Sequence, residues 1–288
     1  MVNICKNWTQ WLKESRFSAL SEEQKEQTLR WLESVRDVLI GNAQIKPGEI
    51  VIDIGTGTGL MATKALEVLN GTGEVIFSDK FEDCLVSCKE QLEKMGITSG
   101  YRMMNSPCEK IDVADNSIDK ALMRSVLVHI VDKQPAVNEI FRILKPGGKF
   151  CAFEPIISSN TRYWELLNPD KVRNFEEFKT AENDFMSSSE DPMCNFDENT
   201  LAKNFEVAGF SDGSVDLQVV ESNYVVNKNM VETWFATPPS PDRPTMKERF
   251  LKYFDEEKVN QFIEDIKEDL DGKFVTIKSN TVFMTIIK

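Results

Sequence analysis

The sequence predicts an α/β fold built on a mostly parallel sheet with helices on both faces. Two observations carry this. Short apolar, β-branched runs alternate with amphipathic helical patterns from Glu49 to Glu154. A glycine loop joins the first of those runs to the helix that follows it.

The elements follow in order. The first 45 or so residues read as helix, with Ser21 and Gln24 as a capping box. Leu29, Leu32, Val35 and Leu39 then recur at helical spacing, and Gly41 with Lys46-Pro47-Gly48 is expected to end the region. Val51 to Ile54 suits a strand buried on both faces. Leu60 to Leu69 reads as helix, closed by Asn70-Gly71. Glu74 to Asp79 is a second strand and Phe81 to Met95 a second helix of the alternating region. Ile118 to Met123 and Lys149 to Glu154 are further strands, separated by a helix over Gln134 to Leu144 and a Lys145-Pro146-Gly147-Gly148 turn. After Glu154 the rhythm breaks. Residues 156–196 are polar and aromatic with weak periodicity. Asp197 to Ala208 reads as a helix stopped by Gly209, and Ser214 to Val226 as a long strand. Pro238-Pro239-Ser240-Pro241 is a stiff extended segment. Thr245 and Glu248 form another capping box, Val259 to Leu270 an amphipathic helix and Thr281 to Ile287 a closing strand.

Composition narrows the function. The 288 residues carry a formal charge of −13. Nucleic-acid binders need clustered Lys and Arg, and anionic lipid also selects cations, so neither is an expected partner. No apolar run has the length of a membrane span, and Met1 to Trp11 lacks a basic-then-apolar leader pattern, so a soluble, cytoplasmic chain is expected. The six cysteines (Cys5, Cys84, Cys88, Cys108, Cys151 and Cys194) form no zinc-spaced cluster, and no metal is expected. Cys84 and Cys88 sit at the spacing of a buried helix face.

The sharpest motif is Val51-Ile52-Asp53-Ile54-Gly55-Thr56-Gly57-Thr58-Gly59. Alternate glycines let the chain turn tightly out of a strand and let a ligand approach the backbone. Asp53 precedes the loop and Asp79 ends the next strand, where a ribose-reading carboxylate is expected. The pattern is not GxGxxG, and Gly59-Leu60-Met61 lacks the Gly-Lys-Ser/Thr of a phosphate-binding loop. It resembles the first motif of class I S-adenosylmethionine (SAM) methyltransferases. The resemblance spans about Glu49 to Glu154. It continues through Asp79, through Asp115-Asn116-Ser117-Ile118-Asp119, and through Leu144-Lys145-Pro146-Gly147-Gly148. It implies a Rossmann-like, seven-stranded sheet, to which this chain adds an N-terminal helical segment and, unusually for that plan, a helical insertion before the last strand. Residues 1–48 would form a helical cap, and 49–288 the SAM-binding domain, with substrate-side insertions at about 156–196 and 227–272.

The resemblance also implies SAM as cofactor. Asp53 with Gly55, Thr56, Gly57 and Gly59 would meet the methionine end, and Asp79 with Lys80 the ribose. The family places an acid against adenine where this chain has Pro107. Adenine recognition then falls to Ser106, Cys108 or Glu109. Arg124, after the fourth strand, is a further cofactor-binding candidate, or binds an acceptor carboxylate or pairs with an acid. His129, the only histidine, has the titration range of a general base. Glu154, at a strand end before Pro155, is the second catalytic candidate; both also have packing or ion-pair readings.

Trp8, Trp11, Phe17, Arg162, Tyr163, Trp164 and Trp234 are candidate pocket walls. The acidic run Glu264, Asp265, Glu268, Asp269 and Asp271 is expected to be the solvated side of the last helix. The resemblance points towards bacterial methyltransferases of the menaquinone and ubiquinone type and a small-molecule acceptor. The alternatives are a SAM-binding regulatory or scaffold protein and an enzyme using SAM for non-methyl chemistry.

Overall fold

The computed structural model describes residues 8–17 and 21–288; Cys5 lies outside the described residues. The described elements run α1 (Trp8–Lys13), α2 (Glu22–Ala43), β1 (Ile50–Ile54), α3 (Leu60–Leu69), β2 (Glu74–Asp79), α4 (Glu82–Lys94) and β3 (Tyr101–Asn105). They continue β4 (Ile118–Arg124), α5 (Gln134–Ile143), β5 (Leu144–Pro155), α6 (Phe175–Met186), α7 (Glu198–Ala208) and β6 (Asp212–Val225). The last are α8 (Lys228–Ala236), α9 (Met246–Phe250), α10 (Glu256–Leu270) and β7 (Phe274–Ile287).

The sheet has seven strands in the order β3-β2-β1-β4-β5-β7-β6. β1 to β5 pair in parallel, and β7 runs antiparallel between β5 and β6. Successive side chains of a strand point to opposite faces, and here both faces are apolar. Ile52, Ile54, Ile76, Ala121, Met123, Phe150 and Ala152 pack with α5 and α7. Val51, Val75, Phe77, Leu122, Cys151 and Phe153 pack with α2, α3 and α4. Cys88 belongs to that second cluster, and Cys84 is also buried. The run of β-branched residues in β1 is therefore the sequence record of two-sided burial. The strand order reverses between β1 and β4, the place where such sheets open a crevice at their carboxyl ends.

Four local expectations are revised. Gly41 lies inside α2, which runs to Ala43 and stops at Gln44 in a left-handed conformation, φ +51°. Lys145 to Gly148 is the irregular head of β5, with a register shift opposite Ile118 and Lys120 and with Gly147 at φ +79°. Its backbone is held by Lys288: Gly147 N–H donates to the Lys288 carbonyl, and Lys288 N–H to that of Gly148. Residues 156–196 contain α6, whose Phe178 is fully buried. The acidic run on α10 is not all solvated. Asp265 takes the backbone N–H and guanidinium of Arg173, and Asp269 takes Asn168 N–H and Lys273. Glu264, Glu268 and Asp271 are the exposed members.

A third apolar cluster joins α6, α8, α9 and α10 around Phe178, Phe235, Phe250 and Phe262. Tyr163, Trp164 and Trp234 pack there and do not line the pocket. Arg162 pairs with the buried Glu182 on α6. These four were candidate pocket walls; packing within the added helices claims them instead. Among the described residues, no helix is long and apolar enough to cross a membrane.

Candidate active site

The glycine loop is shaped by both acids that flank it. Gly55, Gly57 and Gly59 all have positive φ, at +68°, +54° and +78°. Thr56 N–H donates to the Ser78 carbonyl at 2.9 Å, which ties the loop to β2. Asp53 Oδ2 accepts from the Thr56 hydroxyl at 2.7 Å and from Ala62 N–H at 3.0 Å. Asp79 Oδ2 accepts from Gly57 N–H and Oδ1 from Phe81 N–H, each at 2.9 Å. Each carboxylate oxygen has two lone pairs, so Asp79 retains acceptor capacity at both oxygens, and Asp53 Oδ1 takes no donor among the described residues.

These groups open on a pocket of ≈ 270 Å³. Asp53, Gly55, Thr56, Gly57, Asp79, Lys80, Cys108, Glu109, Arg124 and His129 all line it. Two of the expected site residues do not. Gly59 is the N-cap of α3, and a Cβ there would press on Cys88 Sγ at 3.1 Å and the Phe77 ring at 3.3 Å, so its role is packing between helix and sheet. Glu154 is 0 % exposed and faces the turn after β4. Its carboxylate accepts Val126 N–H at 2.8 Å, Leu127 N–H at 2.9 Å and Val128 N–H at 3.1 Å. A carboxylate engaged this way is not free to take a proton from an acceptor, so the catalytic reading of Glu154 is withdrawn.

The electrostatics follow from burial. Asp53 is pushed up to about 6 by desolvation, against its two donors and the Arg124 charge. Asp79 is also raised by burial, opposed by the N–H groups of Phe81 and Gly57. The Arg124 guanidinium is lowered by burial, opposed by Asp53 and Glu154, and makes no side-chain hydrogen bond among the described residues. His129 is pushed down to about 4 by burial and by the Arg243 charge. It is therefore neutral near pH 7, and its Nδ1 is buried without a hydrogen-bond partner among the described residues. Burial lifts the Cys108 thiol above its ordinary range, so it remains a thiol, and it donates to Glu109 Oε2 at 3.3 Å.

The wall opposite the loop is aromatic and apolar. Trp8 stacks on Phe81, with ring centroids 4.9 Å apart, and meets His129 edge-on at 5.2 Å. Trp11 donates its indole N–H to the Pro238 carbonyl at 3.2 Å, so α1 bridges the core and the segment between β6 and β7. Val128, Met193 and Pro239 also line the pocket, while Leu12 and Val126 lie against the glycine loop itself, beside Gly57 and Gly55. Of the early aromatics, Trp8 and Trp11 are pocket walls, whereas Phe17 lines the neighbouring groove beneath α2. Val126, Met193 and Pro239 carry no local signal in the sequence; only the fold brings them together.

The residues fit a nucleoside carrying an amino acid. Gly55 and Gly57 leave the loop without Cβ atoms, and space at the Gly55 Cβ position is already taken by Val126 Cγ2, 2.4 Å away. Asp53 and Arg124 offer an anion and a cation to an amino acid, and Asp79 offers acceptors to paired hydroxyls. Pro107 is exposed and outside the pocket, while Ser106 is buried at its edge. The family's adenine-reading acid therefore has no substitute at residue 107.

Comparison with known proteins agrees. Residues 45–197 match the family described as "Methyltransferase domain". A ubiquinone/menaquinone biosynthesis C-methyltransferase of Klebsiella pneumoniae is 26 % identical over 172 residues, 58 % of this chain and 68 % of that one. A putative methyltransferase of Bacillus halodurans superposes with a TM-score of 0.57 at 19 % identity, covering 88 % of this chain and 99 % of that one. A Haemonchus contortus phosphoethanolamine-type N-methyltransferase, solved with S-adenosylhomocysteine (SAH), gives 0.51 at 18 % identity, covering 88 % and 52 %. The two structural likenesses show the fold. The chain belongs to the methyltransferase-domain family and is a class I SAM-dependent methyltransferase.

Proposed function

We propose that the chain methylates a small organic molecule held between the glycine loop and the aromatic wall of Trp8, Trp11 and Phe81. The observation that supports this most is the make-up of that space. The Trp11–Pro238 hydrogen bond joins α1 to the Pro238–Pro239 segment, and both contribute apolar lining to a pocket of ≈ 270 Å³. Small-molecule sites are concave, mostly apolar and oriented by a few polar groups. The similarity to C-methyltransferases named for ubiquinone and menaquinone biosynthesis points the same way.

SAM supplies an electrophilic methyl group on a sulfonium. The chain's own residues bind, orient and exclude water. In this reading Asp53 holds the methionine ammonium and Arg124 its carboxylate. Asp79 accepts from the ribose hydroxyls, with Lys80 beside it. Ser106, Cys108 and Glu109 flank the adenine. Neutral His129, which lines the pocket against Trp8, takes a hydrogen bond or a proton from the acceptor and fixes its approach.

The test is incubation of metabolite extracts with SAM bearing a labelled methyl, read by mass spectrometry. A small molecule that gains one methyl as SAH forms is the expected result. Label found only in protein or nucleic acid, or consumption of SAM without methyl transfer, overturns the reading. His129→Gln should slow turnover of the acceptor found far more than it weakens SAH binding. A full-speed variant returns His129 to packing.

A further inference from the structure

We propose that Glu154 is a positioning residue for methyl transfer: its carboxylate holds the turn Ser125–His129 in the conformation that completes both halves of the pocket. The proposal rests on the chain's use of SAM, and neither on the acceptor's identity nor on the role of His129.

Three successive N–H groups, from Val126, Leu127 and Val128, converge on one carboxylate that is 0 % exposed. Consecutive amides pointing inward form an anion-binding nest. Here the nest is filled from within, by the residue at the carboxyl end of the neighbouring strand. β5 grips the same turn a second time, since Ser125 N–H donates to the Phe153 carbonyl at 2.8 Å. The turn needs such a grip. Ser125 has φ +55°, a left-handed conformation that a residue with a Cβ adopts only when its surroundings impose it.

What the turn carries makes this grip functional. On the donor side, Val126 fills the space beside Gly55, so a shift of Val126 is a shift of the glycine loop's wall. Arg124 and Ser125, just before it, line the same side. Val128 and His129 follow within the same turn and line the pocket too, with His129 packed edge-on against Trp8. One buried carboxylate therefore sets the spacing between donor and acceptor. A displacement of the order of 1 Å is enough to matter for an in-line transfer.

The charged groups facing Glu154 are Lys133, at the head of α5, and Arg124 on β4. Neither makes a direct ion pair with it. Lys133 Nζ is spent on the carbonyls of Ile130 and Pro192 and on Asn195 Oδ1. Arg124 is shared with Asp53. The three amides are thus the main support of the ionised form, while burial raises Glu154 to about 7. Protonation removes acceptor capacity from the nest within a working pH range.

The experiment uses the whole chain, Glu154→Gln and Glu154→Asp, with SAH as the probe. Calorimetry across pH 7 is paired with hydrogen exchange, expressed as protection, of the amides of residues 126–128 and of β1. Glu154→Gln places an amide NH2 against at least one N–H. We expect SAH affinity to fall about 10-fold above pH 7, the loss equivalent to one charge-assisted hydrogen bond. Protection should fall at residues 126–128 and persist in β1. Wild-type affinity should drop as pH falls through about 7, and this component should vanish in Glu154→Gln. A component near 6, from Asp53, should remain in both. Glu154→Asp, which keeps the charge, should recover part of the affinity. If Glu154→Gln fails to fold, the wild-type pH series alone decides, through selective loss of protection at residues 126–128. Unchanged affinity and protection, or loss of protection spread evenly over the chain, overturns the proposal.

Discussion

Replacing Gly55 by Ala tests whether the glycine loop and the turn after β4 are one packed unit. Gly55 sits at φ +68°, where an L-residue pays about 1–2 kcal/mol. The new Cβ would lie 2.4 Å from Val126 Cγ2 and 3.2 Å from Cγ1, far inside contact distance. Val126 has little room to yield. Its side chain is stiff at χ1, and its N–H is bonded to Glu154 Oε1 at 2.8 Å. Overpacking of this kind costs about 1–3 kcal/mol. The two effects together destabilise by about 2–5 kcal/mol, a large share of a domain's stability. Urea unfolding of Gly55→Ala, Val126→Ala and the double variant separates them. Val126→Ala opens the space, so the double variant should be more stable than the sum of the singles by about 1–3 kcal/mol. The left-handed cost of about 1–2 kcal/mol should remain. SAH calorimetry on the folded variants should show weaker binding in Gly55→Ala. Strict additivity, or a Gly55→Ala chain of wild-type stability, would refute the packing argument.

Three other outcomes are expected. Asp79→Asn should weaken SAH binding by about 1.5–3 kcal/mol, since an NH2 group replaces an acceptor for Gly57 N–H, Phe81 N–H or a ribose hydroxyl; unchanged calorimetric affinity counts against the assignment. His129, held near 4 when folded against about 6.5 unfolded, favours protonation of the unfolded chain. Its contribution is present above pH 6.5 and lost as pH falls towards 4, roughly 3 kcal/mol over that window. Wild type minus His129→Gln, in urea unfolding at several pH values, isolates this from Asp53 and Glu154, whose raised values act in the opposite direction; a pH-independent difference contradicts it. Asp265→Ala should cost about 1–2 kcal/mol, because it leaves Arg173 N–H and the guanidinium without their acceptor, while Glu268→Ala should stay within about 0.5 kcal/mol by thermal unfolding.

The alternating part of the chain was legible because each element states its environment locally. Val51, Ile52 and Ile54 are apolar at adjacent positions because both faces of β1 are covered. Ser21 with Gln24 and Thr245 with Glu248 close the capping boxes that their spacing announces. The added regions were less legible. α6 escaped notice because its buried face, Phe175, Phe178 and Ala181, is short and interrupted by charge, with Glu182 buried against Arg162. The acids of α10 read as solvated because the Arg173 guanidinium and amide, and the Asn168 amide, that hold them lie 92 and 101 residues earlier in the chain.

The same distinction divides the site. By itself the sequence determined most of the alternating strands and helices between Glu49 and Glu154, though not β3, together with the glycine loop and its two acids, and hence the family and its cofactor. These depend on residues close together in the chain, where backbone conformation and two-sided burial leave a direct imprint on residue type. Only the tertiary structure decided what the residues at the strand ends do. Glu154 and His129 looked alike as candidate proton acceptors. Packing turned the first towards three backbone amides and left the second as a wall of the pocket, edge-on to Trp8. A side chain's protonation and reach are set by the groups that surround it in space, and those groups come from segments that no local pattern relates.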